Sequence, residues 1–244
     1  MKTNIGIVLI ITLLLSSCIG SVDLDTNLQS YLDDNSLLEK GEVIACAASK
    51  KNDDTTAFIF YYPIVGAEEI LYFETESAGV DPNDFSNYHF KALPKEPVFN
   101  GYLERFVKGE VKEVYCLVTY IVNNTLHKSN PIRLKNQSKP TEWNEKVSID
   151  FTQSTMPVFS WKDGIYDDTE IYFEVLADKE NNLLSGTYTY DKKFQYYNLN
   201  NVVLNVTRNI PPKLESSEEY SFTLMGVSKD NWVNLVVQKT FIIP

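Results

Sequence analysis

Four groups of residues in this chain could do chemistry, and one of them has the spacing its reaction requires. Leu15-Ser16-Ser17-Cys18 closes a stretch that begins with Lys2 and continues as an apolar run from Ile5 to Leu15. One aliphatic and two small residues let a peptidase approach the backbone closely. The Cys18 thiol is then the nucleophile that accepts lipid, diacylglycerol or palmitate. The apolar run is too short to span a bilayer, so residues 1–17 read as a cleaved export signal. His89 and His127 are the only histidines, and neither has the closely spaced ligands of a zinc site. No nucleophile elbow, phosphate-cradling glycine loop or His-Glu-x-x-His occurs. Carboxylates remain. Asp163, Asp167, Asp168 and Glu170 crowd one loop, an oxygen-rich arrangement of the kind that can hold calcium. Their spacing is not that of an EF-hand, and solvated turn acids are the plainer reading. A glycosidase pair needs a defined separation on a rigid cleft, which nothing here sets. The expectation is no catalytic residue, no metal ligand and no cofactor.

The fourth group is Cys46 and Cys116, an even remainder once Cys18 is set aside. In an exported protein the two could form a disulfide, or they could be separate buried thiols acting as small hydrophobes. The formal charge of −11 repels phosphate backbones and argues against nucleic acid and against a polybasic contact with anionic lipid. After the signal no stretch is long and apolar enough to cross a membrane, which leaves lipid on Cys18 as the membrane anchor.

The elements around these residues are β. Residues 18–41, rich in Asp, Asn and Ser, read as a lipidated flexible tether with at most one helical turn around Leu28 to Leu32. From Gly41 onward tyrosine (15 in the chain) and phenylalanine (13) are abundant, in apolar blocks bounded by turn residues. Predicted strands in residues 42–138 are Glu42–Ala48, Ala57–Tyr62, Glu69–Glu76, Lys112–Val122 and Pro131–Lys135. In residues 139–244 they are Lys146–Phe151, Pro157–Trp161, Thr169–Ala177, Ser185–Tyr190, Val202–Thr207, Tyr220–Val227 and Leu235–Ile243. A polar hinge, Asn136 to Pro140, separates the halves. The halves echo one another. Phe58 to Pro63 precedes Glu69-Ile70-Leu71-Tyr72-Phe73-Glu74, just as Pro157 to Trp161 precedes Glu170-Ile171-Tyr172-Phe173-Glu174. Two copies of one sandwich are the simplest account.

With these residues in view, a family resemblance can be stated. The aromatic second strands, the long penultimate strands, Trp161 and Tyr220 are similar to those of fibronectin type III and related immunoglobulin-like domains. Trp161 matches that fold's buried second-strand tryptophan, and Tyr220 the tyrosine at the start of its sixth strand. Ser129-Asn130-Pro131-Ile132 resembles the lead-in to the last strand of bacterial versions. The first half departs from the pattern, with Tyr62 at the tryptophan position and an irregular stretch from Ser77 to Gly109. The expected fold is all-β: two immunoglobulin-like (fibronectin type III-like) sandwiches in tandem after a lipidated tether. Lipid motif, acidic tether and tandem sandwiches together resemble the short outer-membrane lipoproteins of Bacteroidota. That resemblance implies an outer-membrane location, cell surface or periplasmic face undetermined. It also implies a non-enzymatic binding or scaffold subunit, an accessory of an outer-membrane β-barrel complex for assembly or export. The alternative is a carbohydrate-binding lipoprotein of a glycan-uptake system.

Binding residues are sought among the aromatics. Tyr188 and Tyr190 share a strand face in the run Gly186 to Tyr190, which Phe194, Tyr196 and Tyr197 follow; core pairing is the plainer reading and a stacking platform the sharper one. Trp232 sits in a turn at a sandwich tip and is expected to be exposed. The Ser77 to Gly109 stretch holds Phe85, Tyr88, Phe90, Phe99, Tyr102 and Phe106. Because interface hot spots favour Tyr, Trp and Arg, Tyr88, Tyr102, Arg105 and Trp232 are the candidate partner-binding residues. Asp54-Thr55-Thr56 resembles a short O-glycosylation motif.

Overall fold

The computed structural model describes residues 27–109 and 112–244. The export signal and Cys18 lie outside them. A short helix, α1 (Leu28–Asp34), opens the described chain. The first-half strands are β1 (Glu39–Val43), β2 (Ala45–Lys50), β3 (Asp53–Tyr61), β4 (Glu68–Thr75), β5 (Tyr88–Phe90), β6 (Lys95–Val98), β7 (Leu103–Lys108), β8 (Tyr115–Val122), β9 (Thr125–Ser129) and β10 (Ile132–Arg133). The second half comprises β11 (Glu142–Asn144), β12 (Val147–Asp150), β13 (Val158–Trp161), β14 (Thr169–Asp178), β15 (Leu183–Thr189), β16 (Lys193–Gln195), β17 (Val202–Asn205), β18 (Glu219–Ser228) and β19 (Val233–Ile242).

Each half is a sandwich. In the first, a sheet ordered β1-β9-β8-β4-β5, with β10 also on β8, faces a sheet ordered β2-β3-β7-β6. In the second, β11-β19-β18-β14-β15-β17 faces β12-β13-β16. Both halves begin with a short strand running parallel to the last one, β1 on β9 and β11 on β19. Their second and third long strands then lie in opposite sheets, which is the immunoglobulin-like arrangement. The internal repeat read from the sequence therefore corresponds to two copies of one topology.

Alternation along the strands builds the cores. On β3, Ala57, Ile59 and Tyr61 point into the first sandwich, where Tyr72, Val118 and Tyr120 meet them. Phe159, Trp161, Tyr172, Leu176, Phe222 and Val237 fill the second. Trp161 is buried against Tyr172, with ring centroids 5.4 Å apart. Tyr220 receives a hydrogen bond on its hydroxyl from the Glu215 amide at 2.9 Å, the corner that its strand position implies. The counterpart of Trp161 in the first half is Tyr61, not Tyr62: Tyr61 shares the inward face, whereas Tyr62 points the other way.

That other face explains the continuous apolar runs. Phe58 and Phe60 on β3 pack with Leu103 against Phe173, Val175, Met225 and Val236 of the second sandwich. The sheets carrying β3 and β14 are therefore buried on both sides, which demands apolar residues at successive positions rather than alternate ones. The two sandwiches lie face to face across a third core.

Two expectations about the connections are corrected. The hinge is clamped. Asn136 is buried and donates to the Asp54 carbonyl at 2.6 Å. Thr141 exchanges hydrogen bonds with Ser49 at 2.7 and 2.9 Å and donates to the Val233 carbonyl. The segment expected to continue as tether to residue 41 is folded from Asn27 onward. Leu28 and Tyr31 on α1 are buried with Phe73, Tyr88 and Leu117 on the outer face of the first sandwich. Two apolar side chains spaced by three on one helical turn are enough to seat that turn on a sheet.

Candidate binding surface

The residues singled out for partner binding are mostly used within the chain. Tyr88 is buried beneath α1 and donates to the Pro82 carbonyl at 2.7 Å. Tyr102 lies between the sandwiches, donating to the Val206 carbonyl at 2.7 Å and accepting from the Arg208 amide at 2.6 Å. Arg105 lies over the Phe58 ring at 3.7 Å and pairs with Glu96 at 2.6 Å. Trp232, expected at an exposed tip, is 0% exposed. Its turn inserts into the first sandwich, and its indole donates to the Lys139 carbonyl at 2.8 Å. The turn is an interdomain plug, because the neighbouring sandwich covers that tip.

Cys46 and Cys116 are free thiols in different cores. Cys116 points into the first sandwich and Cys46 to the opposite face of the other sheet, so their Cβ vectors cannot meet. Burial pushes the Cys46 thiol up to about 12 and Cys116 well above the usual thiol range; both are unreactive as nucleophiles at neutral pH.

The polar candidates are dispersed. His127 stacks on Tyr120 at 4.9 Å, its Nδ1 lying 3.1 Å from the Glu42 carbonyl. Gly41 makes room for it, since a Cβ there would sit 2.4 Å from the imidazole. His89 is exposed on β5. In the acidic loop, Asp163 takes Lys192 and the Tyr172 hydroxyl, while Asp168 takes Lys139 and Asn234. Asp163 and Asp168 are thus each held by their own donors. Among the described residues, no group of three or more His, Cys, Asp or Glu is placed to hold a metal ion. A cleft of about 660 Å³ runs beside Glu142, Lys146, Trp161 and Lys239. Of its polar groups, Glu142 accepts from the Ile165 amide at 2.7 Å and Lys239 donates to the Val147 carbonyl at 3.3 Å, while the buried Trp161 Nε1 has no partner among the described residues.

Two buried carboxylates occupy equivalent positions in the repeat. Glu74 is held at 2.9 Å by Lys108 and at 2.8 Å by the Tyr72 hydroxyl. Glu174 has the hydroxyls of Thr187 and Thr189, at 3.4 and 2.8 Å. Burial raises its carboxyl well above the usual range. Both are sealed in cores, out of reach of a substrate.

What the chain does expose is an apolar edge of the second sandwich. Tyr190 (67% exposed), Tyr197, Leu199, Val203, Leu204 and Ile210 (83%) cluster within residues 190–210. The strand β17 ends its sheet, paired with β15 on one side. From Leu199 to Thr207 there is no charged residue, nor any of the Lys or Pro with which edge strands are commonly protected. Beside it lies a groove of about 360 Å³ walled by Tyr197, Leu199, Ile210 and Pro211. Sequence reading noticed the tyrosines of this region. It missed Val203 and Leu204, whose exposure is set by β17 crossing back to pair with β15. Phe194 and Tyr196 are in the core, and Tyr188 stacks on Phe173 at 4.5 Å between the sandwiches.

No protein-family model matches this chain, and no curated protein matches it. Among solved structures it is similar to the crystal structure of the chicken CNTN1 FN1–FN3 domains, with 11% identity and a TM-score of 0.31 over 84% of this chain and 67% of that one. It is also similar to a segment of two fibronectin type III domains from chicken tenascin, with 9% identity and a TM-score of 0.29 over 83% and 98%. The chain is built as two tandem β-sandwiches, each with the immunoglobulin-like strand arrangement described above.

Proposed function

We propose that this protein is a non-enzymatic binding subunit, lipid-anchored through Cys18 in a bacterial outer membrane, that grips an envelope protein along the edge formed by β17 and its flanks. The observation that carries the reading is the apolar edge between residues 190 and 210, uncharged from Leu199 to Thr207, in a chain of formal charge −11. A partner strand added to β17 would complete its backbone hydrogen bonds, and Leu199, Leu204 and Ile210 would supply the apolar centre that such interfaces need. An outer-membrane β-barrel complex is the partner class the N-terminal motif favours, because a lipid on Cys18 would hold the sandwiches beside such barrels.

The test is co-purification from native membranes. Leu199→Glu and Leu204→Lys change exposed side chains; each should leave the circular dichroism spectrum unchanged and lower recovery of the partner at least tenfold. Undiminished recovery with both variants would place the interface elsewhere. Cys18→Ser should abolish acyl labelling and release the protein from the membrane. Exposed Tyr190 and Tyr197, whose rings could stack on sugars, support a second reading as a glycan-binding lipoprotein. Polysaccharide retention lost on Tyr190→Ala and Tyr197→Ala would favour it.

A further inference from the structure

The face-to-face packing of the sandwiches leaves an apolar cavity of about 180 Å³ between them. Phe60 and Leu103 wall it from the first sandwich, and Phe173, Tyr188 and Met225 from the second. Glu42, Asn130 and Asn231 lie at its rim. A cavity of about 150 Å³ accepts benzene, so this one is large enough for a single substituted ring. Cys46 and Tyr188 give independent support. Burial pushes the thiol up to about 12 and the phenol well above its usual value. Both nevertheless retain accessible surface, and that surface belongs to the cavity wall. The Tyr188 hydroxyl has no hydrogen-bond partner among the described residues, which leaves an unpartnered polar group on the aromatic part of the wall.

We infer that this interdomain cavity is a binding site for a small single-ring aromatic compound carrying one polar substituent, a phenol or benzyl alcohol in chemical type. The aromatic walls match the ring, the lone hydroxyl orients the substituent, and the ligand touches both sandwiches at once. The site is independent of the partner-binding edge, which lies on residues 190–210.

The methionines make the test direct, because Met1, Met156 and Met225 are the only ones in the chain and Met225 alone lines the cavity. The full chain, labelled with ¹³C at the methionine methyls in a nonionic detergent, is titrated with phenol and with toluene. A saturable ring-current shift at Met225 is expected, half-complete at roughly millimolar or lower concentration for so few ligand atoms. Met156, the other methionine retained after signal cleavage, should show at most the linear drift of probe partitioning. Cys46→Leu, which fills the cavity, should remove the saturable shift. No saturable change at Met225, or one that persists in folded Cys46→Leu protein, overturns the assignment. If Cys46→Leu does not fold, Leu103→Ala decides instead. The widened cavity should take naphthalene, which the parent chain refuses, and refusal by the variant overturns the assignment.

Discussion

Glu74 and Glu174 show one residue solving the same problem in two ways. A buried carboxylate must be paired or neutral. Glu74 is paired with Lys108, and Glu174, offered only threonine hydroxyls, keeps its proton. The folded chain therefore holds the Glu174 proton to higher pH than the unfolded chain, whose carboxyl ionises near 4.5. The stability linked to this group is complete below that pH and declines as pH rises above it, by at most about 1.4 kcal/mol per pH unit. Glu174→Gln should flatten that decline, as urea midpoints at about pH 5 and about pH 7 would report. At the other site, Lys108→Met should cost roughly 3–5 kcal/mol by leaving a buried charge unpaired. The double variant with Glu74→Leu should recover most of it, again by urea unfolding. The Tyr-Phe-Glu repeat was legible in the sequence. That its glutamates face inward follows from sharing a strand face with Tyr72 and Tyr172, but the partners, more than 30 residues away for Glu74, were not legible.

At the scale of elements, each predicted strand overlaps an observed one, because apolar blocks between turn residues report burial directly, but Glu42–Ala48 merges β1 and β2 of opposite sheets and Pro131–Lys135 covers only β10. The strands that escaped notice are informative. On β7, the inward residues are Glu104, which accepts from the Tyr61 hydroxyl, Phe106, and Lys108. The outward Leu103 and Val107 meet the other sandwich. Charge inside and apolar residues outside invert the usual alternation, so the segment reads as irregular. β5 and β16 are three residues each, too short to show a period. The β18–β19 turn was found in the sequence but misjudged, since exposure at a tip depends on what lies beyond it. Asn231 takes a left-handed conformation there, φ 61°, and its carbonyl accepts from the Ala47 amide at 3.0 Å. Trp232→Ala should cost about 3–5 kcal/mol through a cavity in the first sandwich, although the residue belongs to the second. Denaturant unfolding followed by the remaining tryptophans, Trp143 and Trp161, would measure it.

For the whole molecule, the sheet faces around Phe58, Phe60, Met225 and Val236 make the halves interdependent. Calorimetry should show one cooperative transition rather than two. Chains cut between residues 138 and 139 should aggregate as separate halves and recover solubility when refolded together; a soluble, folded half would contradict this. The clamped connection has a mechanical consequence. In beads-on-a-string arrays, tension passes along the string and each bead yields separately. Here Thr141 and Ser49 rivet the crossover at 2.7 and 2.9 Å, and the shared apolar core joins the sandwiches along their flanks. A pull on one sandwich is passed to the other through that contact as well as through the chain. The molecule behaves as a stiff bracket, transmitting displacement between its two ends instead of absorbing it.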